Sequence, residues 1–244
     1  VRWRPVPRTA TRFSARAGLF WPPVSLEHGT AAWAVADMIT PSAINSWIGE
    51  EVKVVGVEAT AARQVGGGEL AATLGLFGFN DTAGTLLSFR GWALHDQKSG
   101  AFSRQPLPPL NAFVRTLPPP WTTPTVEIDG RPGYYARLAW RPAAALSLDA
   151  VHYDNRGDPE ETTSELQWGW DTAVLNLGAR LDLGERTRLL AQALAGTTAM
   201  GPRVDGRRWV ETRLRAAYLR PTHEIGRVAL SGRLDLFDTR ETGS

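Results

Sequence analysis

Apolar residues recur at every second position in segment after segment of this chain, with turn residues between them. A period of two belongs to β-strands, because successive side chains point to opposite faces of a sheet. Phe13, Ala15, Ala17 and Leu19 alternate with Arg12, Ser14, Arg16 and Gly18. Val55, Val57, Ala59 and Ala61 follow between Glu51 and Arg63, and Leu70, Ala72, Leu74 and Leu76 line the return. Between them Gly66, Gly67 and Gly68 supply a tight turn, since glycine accepts a positive φ without penalty. Tyr134, Ala136, Leu138 and Trp140 share one face; Leu146, Leu148 and Ala150 share another beyond a Pro142-Ala143-Ala144 turn. Leu189–Met200, Val210–Arg220 and a last segment from Arg227 to Leu236 complete the series.

Residues 165–184 break the rhythm, because apolar positions move from even numbers (Leu166, Trp168, Trp170) to odd ones (Leu175, Leu177, Leu181, Leu183). A parity change is met by a hairpin or by an inserted residue. The reading chosen is one long strand with a bulge near residues 171–174. About nine strands result, joined alternately by short turns and by long or polar segments at 20–50, 80–132, 154–163 and 201–208. Sorted connections of this kind are a property of transmembrane β-barrels. The fold expectation is therefore all-β: an antiparallel transmembrane barrel forming one domain over residues 1–244, with long loops at 20–50 and 80–132.

Composition limits the chemistry. The chain has no Cys, which excludes disulfides, thiolate metal ligands and thiol catalysis. No run of roughly 18 apolar residues is present, so no transmembrane helix is expected, whereas barrel strands need only about 9 to 11 residues. The net charge of +2 is spread as one or two arginines per segment, which does not suit a nucleic-acid surface. Val1-Arg2-Trp3-Arg4-Pro5 is no export signal, so a barrel reading expects the natural chain to begin upstream.

A barrel strand turns one face to lipid and the other to a wet lumen. Arg16, Glu58, Arg137, Asp149, Arg180, Asp182, Glu211, Arg213, Arg215, Arg233 and Asp235 fall on the less apolar faces and are the expected pore lining. Arg90, His95, Asp96 and Arg104, in the second long connection, are candidates for a constriction loop.

Ile39–Trp47, Phe89–Asp96 and His152–Pro159 resemble porin-like outer-membrane proteins of proteobacteria, and are most similar to those grouped with the phosphate-selective porins. The resemblance implies a sixteen-stranded barrel of which this chain is a part. It also implies an outer-membrane location, a homotrimer, contact with outer-membrane lipid and lipopolysaccharide, and passive diffusion of small solutes or anions. The lysine-rich constriction of the phosphate-selective members is not matched, since only Lys53 and Lys98 are present.

No enzyme, cofactor or metal is expected. The adjacent pairs Glu50/Glu51 and Glu160/Glu161 suit solvated loops, and His28, His95, His152 and His223 are too dispersed for a metal site by spacing. A GxSxG elbow and a phosphate-binding glycine loop are both lacking. The alternatives are a soluble or surface-exposed β-sheet module recognising carbohydrate through Trp and Arg, and a non-conducting structural barrel.

Overall fold

The computed structural model describes residues 1–29, 35, 37–91, 100–110, 116 and 118–243, with backbone alone at 28 and 29. The strands are β1 (Arg2–Trp3), β2 (Thr11–Phe20), β3 (Val54–Val65), β4 (Gly68–Gly78), β5 (Gln105–Pro106), β6 (Trp121–Thr122), β7 (Gly133–Ala143) and β8 (Leu146–Asp154). They continue with β9 (Asp171–Leu183), β10 (Thr187–Val204), β11 (Arg207–Ile225), β12 (Val228–Ser231) and β13 (Leu234–Glu241). All but β5 and β6 form a single 11-stranded sheet in the order β1-β2-β3-β4-β7-β8-β9-β10-β11-β12, with β13 also on β11. Its strand pairs are antiparallel, and β5 and β6 make a separate small ribbon.

Among the described residues no pairing joins the first strands to the last, so the sheet is open and its two ends are free edges. This corrects the expected closed barrel.

The parity change at 165–184 is not a bulge. β9 begins at Asp171, and Trp168 makes only an isolated bridge to Thr162. Register shifts fall instead between Met200 and Arg203 and between Trp140 and Ala143. The sorting of loop lengths also fails at 201–208. There β10 and β11 run on to a two-residue turn, Asp205-Gly206, whose φ angles of 51° and 80° are those of a tight hairpin turn.

Cross-strand register fixes the two faces. One row runs Arg16, Glu58, Gly75, Tyr135, Tyr153, Val174, Gly196, Leu214. This is the covered face. Phe20 at the end of β2 and Tyr135, Tyr153, Val174, Leu190, Leu194, Leu214 and Tyr218 pack there against Val24, Ile44, Trp47, Ile48, Val52 and Leu87, which come from the long connections. Polar side chains of the sheet tie these connections down. Asn176 and Gln192 each donate an amide N–H to the Val24 carbonyl, and Gln192 Oε1 accepts the Leu26 N–H at 3.2 Å. Gly178 leaves room for the Leu26 side chain, which a Cβ there would meet at 2.7 Å. Burying backbone amides in this way is tolerable because each finds a partner.

The opposite face is exposed and apolar. One of its rows reads Ala61, Ala72, Leu138, Ala150, Leu177, Ala193, Ala217, Leu236. Leu74 is 66% exposed and Leu236 62%. No helix among the described residues is long and apolar enough to cross a membrane.

Candidate functional site

The expected pore-lining residues do not share a face. Arg16, Glu58, Arg137, Asp149, Arg180, Asp182 and Asp235 belong to rows of the covered face, whereas Glu211, Arg213 and Arg215 lie on the open one. In β11 it is Val210, Leu214, Ala216 and Tyr218 that are buried. Charge is a poor guide to facing here, because the covered face is largely a packed core rather than a wet surface.

Most of the inward charges are paired. Arg16 meets Glu58 at 2.8 Å, and Tyr135 donates its hydroxyl to the same carboxylate. Arg137 meets Asp149 at 2.5 Å. Asp182 is held below the usual carboxylate range: burial acts against this, but Arg180 and Arg188 outweigh it. Arg233 pairs with Asp235 at 2.5 Å and donates to the Thr40 and Pro41 carbonyls, while Asp235 accepts the Ala43 N–H. These two charges fasten the start of the 42–53 segment to the sheet.

Of the constriction candidates, Arg90 pairs with buried Glu51, and Arg104 pairs with Glu165 and stacks on Trp121 at 3.7 Å. His95 and Asp96 lie outside the described residues. Glu50 and Glu51 are not solvated; both are fully buried.

Arg137, Asp149 and Arg180 line a hollow of about 430 Å³ on the covered face, together with Arg141, Arg188, Arg220, Asp37 and Glu69. It is crowded with internal ion pairs: Arg188 and Arg220 both reach Asp37, at 3.9 and 3.6 Å.

A second cleft opens at the loop end of the sheet and encloses about 630 Å³. Arg131, Asp154, Arg156, Asp158, Glu160, Glu161, Asp171 and Arg208 line it, five carboxylates against three guanidiniums. Its wall is the loop leaving β8. Asn155 anchors that loop by donating to the Trp170 carbonyl at 2.8 Å and accepting the Thr172 N–H at 2.8 Å. Arg131 then holds Asp158 at 2.5 Å, and Arg208 holds Glu160 at 2.8 Å. Burial, with Asp154 nearby, raises the pKa of the Asp171 carboxyl. At the same end the indoles of Trp168 and Trp209, both half-buried, lie 5.7 Å apart.

Next to this cleft, carboxylate oxygens of Asp81, Glu127 and Asp129 lie within 4.8 Å of one another. Burial, countered in part by the Ile128 N–H and reinforced by Glu127 and Asp129, raises the Asp81 carboxyl to about 7. Much of the donor capacity around them is local. Glu127 accepts the Phe79 and Gly130 N–H groups, Asp81 that of Ile128, and Asp129 those of Arg131 and Asp158. The cluster organises three loops and is a set of oxygen donors of the kind hard cations take. Sequence spacing gives no hint of it, because 46 positions separate Asp81 from Glu127.

The chain matches no protein-family model, no curated protein and no solved structure. With an open sheet whose inner face is filled by its own connections, this removes the porin resemblance. The expectations that rested on it go with it: the sixteen-stranded barrel, the pore for solutes or anions, the outer-membrane location, the lipid and lipopolysaccharide contacts, and the trimer.

Proposed function

We propose that this chain is a non-enzymatic binding module whose sheet presents the loop-end cleft to a carbohydrate. One observation carries the reading: carboxylates and guanidiniums together line an open cleft of about 630 Å³, with Asp158 braced by Arg131 and Glu160 by Arg208. Sugar hydroxyls both donate and accept, so a wall offering acceptors (Asp154, Asp158, Glu160, Glu161) beside donors (Arg131, Arg156, Arg208) matches their chemistry. Trp168 and Trp209 add flat apolar surface for the C–H faces of a pyranose at the same end. The acidic side chains serve binding rather than turnover in this reading, since Asp158 and Glu160 are already committed to Arg131 and Arg208.

The test is titration of the full chain with a panel of neutral oligosaccharides, followed through the indole N–H resonances. Saturable shifts of Trp168 and Trp209 are expected, with affinity reduced about tenfold or more in Arg208→Gln. A panel that leaves both indoles unmoved overturns the reading.

A non-conducting structural role is the second reading, favoured by the exposed leucines of the open face. A contiguous apolar patch of this kind marks an association surface. Blue-shifted fluorescence of an apolar dye, lost on replacing Leu74, Leu138 and Leu177 by Ser, supports it; no dye binding opposes it.

A further inference from the structure

The edge that β12 and β13 leave open carries a charge pattern that its own sheet does not complete. β13 pairs with β11 so that Arg240 stands directly opposite Arg213, and Asp238 opposite Arg215, on the open face. None of these four makes an ion pair among the described residues, and like charges placed opposite one another destabilise a sheet. Arg240 therefore has a like charge on one side and a vacant strand position on the other.

The backbone says which groups face that position. The N–H of Thr242 donates to the carbonyl of Glu211, so even-numbered residues of this segment turn their backbone groups to β11. Odd-numbered residues, among them Phe237, Thr239 and Glu241, turn theirs to the free edge. Among the described residues no strand pairs with them there.

We infer that this edge pairs with the same edge of a second copy of the chain, antiparallel, about a two-fold axis at Thr239. Two-fold pairing places the residue at the axis opposite itself. An axis at Asp238 would oppose two carboxylates and one at Arg240 two guanidiniums. An axis at Phe237 would set Leu236 against Asp238 and Leu234 against Arg240. Only the axis at Thr239 sets Asp238 of each copy against Arg240 of the other. It does so at a non-hydrogen-bonded position, where side chains lie closest. The outer row then reads Arg213, Arg240, Asp238, Arg215 across the junction, and each Arg240 gains the acidic neighbour it lacks. The apolar open faces of the two sheets also become continuous, with Leu236 and Leu234 running up to the junction. An uncovered strand edge is the part of a sheet most prone to such pairing.

The experiment uses light scattering on the full chain and its charge variants. The wild-type chain is expected to be dimeric. Asp238→Lys and Arg240→Glu should each weaken association about tenfold or more, since each sets like charges opposite at two places. The double exchange Asp238→Lys with Arg240→Glu should restore it. A chain with no cysteine offers a second readout. Thr239→Cys at a hydrogen-bonded two-fold position puts the Cα atoms about 5.5 Å apart, within disulfide range, so mild oxidation should cross-link it. A monomeric wild type, an association indifferent to all three charge variants, or a Thr239→Cys variant that does not cross-link overturns the inference.

Discussion

The guanidinium of Arg220 lies 3.3 Å from the carboxylate of Glu27, joining the far end of β11 to the connection that follows β2. The Glu27 side chain is fully buried and that of Arg220 is 8% exposed, so neither charge has water to fall back on. Asp37 lies 3.6 Å from the same guanidinium and shares its charge. Replacing one member, as in Glu27→Gln or Arg220→Met, should cost about 3–5 kcal/mol in urea denaturation, because a buried charge is then left uncompensated. Replacing both with apolar residues should cost clearly less than the sum. A double-variant loss equal to the sum of the two single losses would show that the pair is not coupled.

Asp81 makes stability depend on pH in an unusual direction. Its carboxyl titrates at about 7 in the folded chain, above the ordinary carboxylate value, because burial and its two acidic neighbours disfavour the charge. The folded chain thus holds a proton that the unfolded chain has released, and linkage makes this residue's contribution fall as pH rises from about 4 to about 7. Asp81→Asn keeps an oxygen for the Ile128 N–H and removes the titration. The variant should gain on the wild type as pH is raised through that window, by up to about 4 kcal/mol, and the difference should level off above it. Parallel stability curves for the two proteins would refute the assignment.

Asn155 holds the cleft wall through four bonds, donating to the Trp170 and Asn80 carbonyls and accepting the Thr172 and Gly157 N–H groups. It is buried, so Asn155→Ala leaves those groups unsatisfied at about 1–3 kcal/mol each, less whatever water recovers. Thermal unfolding should register the loss. Saccharide affinity should fall as well, since Asp158 and Glu160 hang on the same loop. A variant that melts early but binds as the wild type does would separate the loop from the cleft.

Local structure was largely legible in the sequence and long-range structure was not. Alternation located most of the principal strands, and Gly66-Gly67 marked its turn, because period and turn chemistry are properties of a few neighbouring residues. It also placed Leu74, Leu138 and Leu177 on one face. What it could not supply was the material covering the other face. Ile44, Trp47, Ile48 and Leu87 sit in segments without strand period, and nothing local shows that they fold back over Tyr135 and Leu214. Taking the charged side of each strand as the wet side then put Arg213 and Arg215 with Arg137, although the register sets them on opposite faces. Sheet closure escaped for the same reason, being decided by the first and last strands together. The loop-end cleft was missed because Arg131, Asp158 and Arg208 meet only when the connections before β7 and after β8 and the start of β11 are brought to one end.

The chain's own connections cover the inner face of the sheet, and amide hydrogen exchange across Ile44–Val52 tests this most directly. Glu50 donates to the Asn45 carbonyl and Val52 to that of Ile48, with Trp47 and Ile48 buried between. Protection in this segment should approach that of β10 and β11. Exchange as fast as in an open loop would contradict this, placing the segment away from the sheet and leaving the inner face wet.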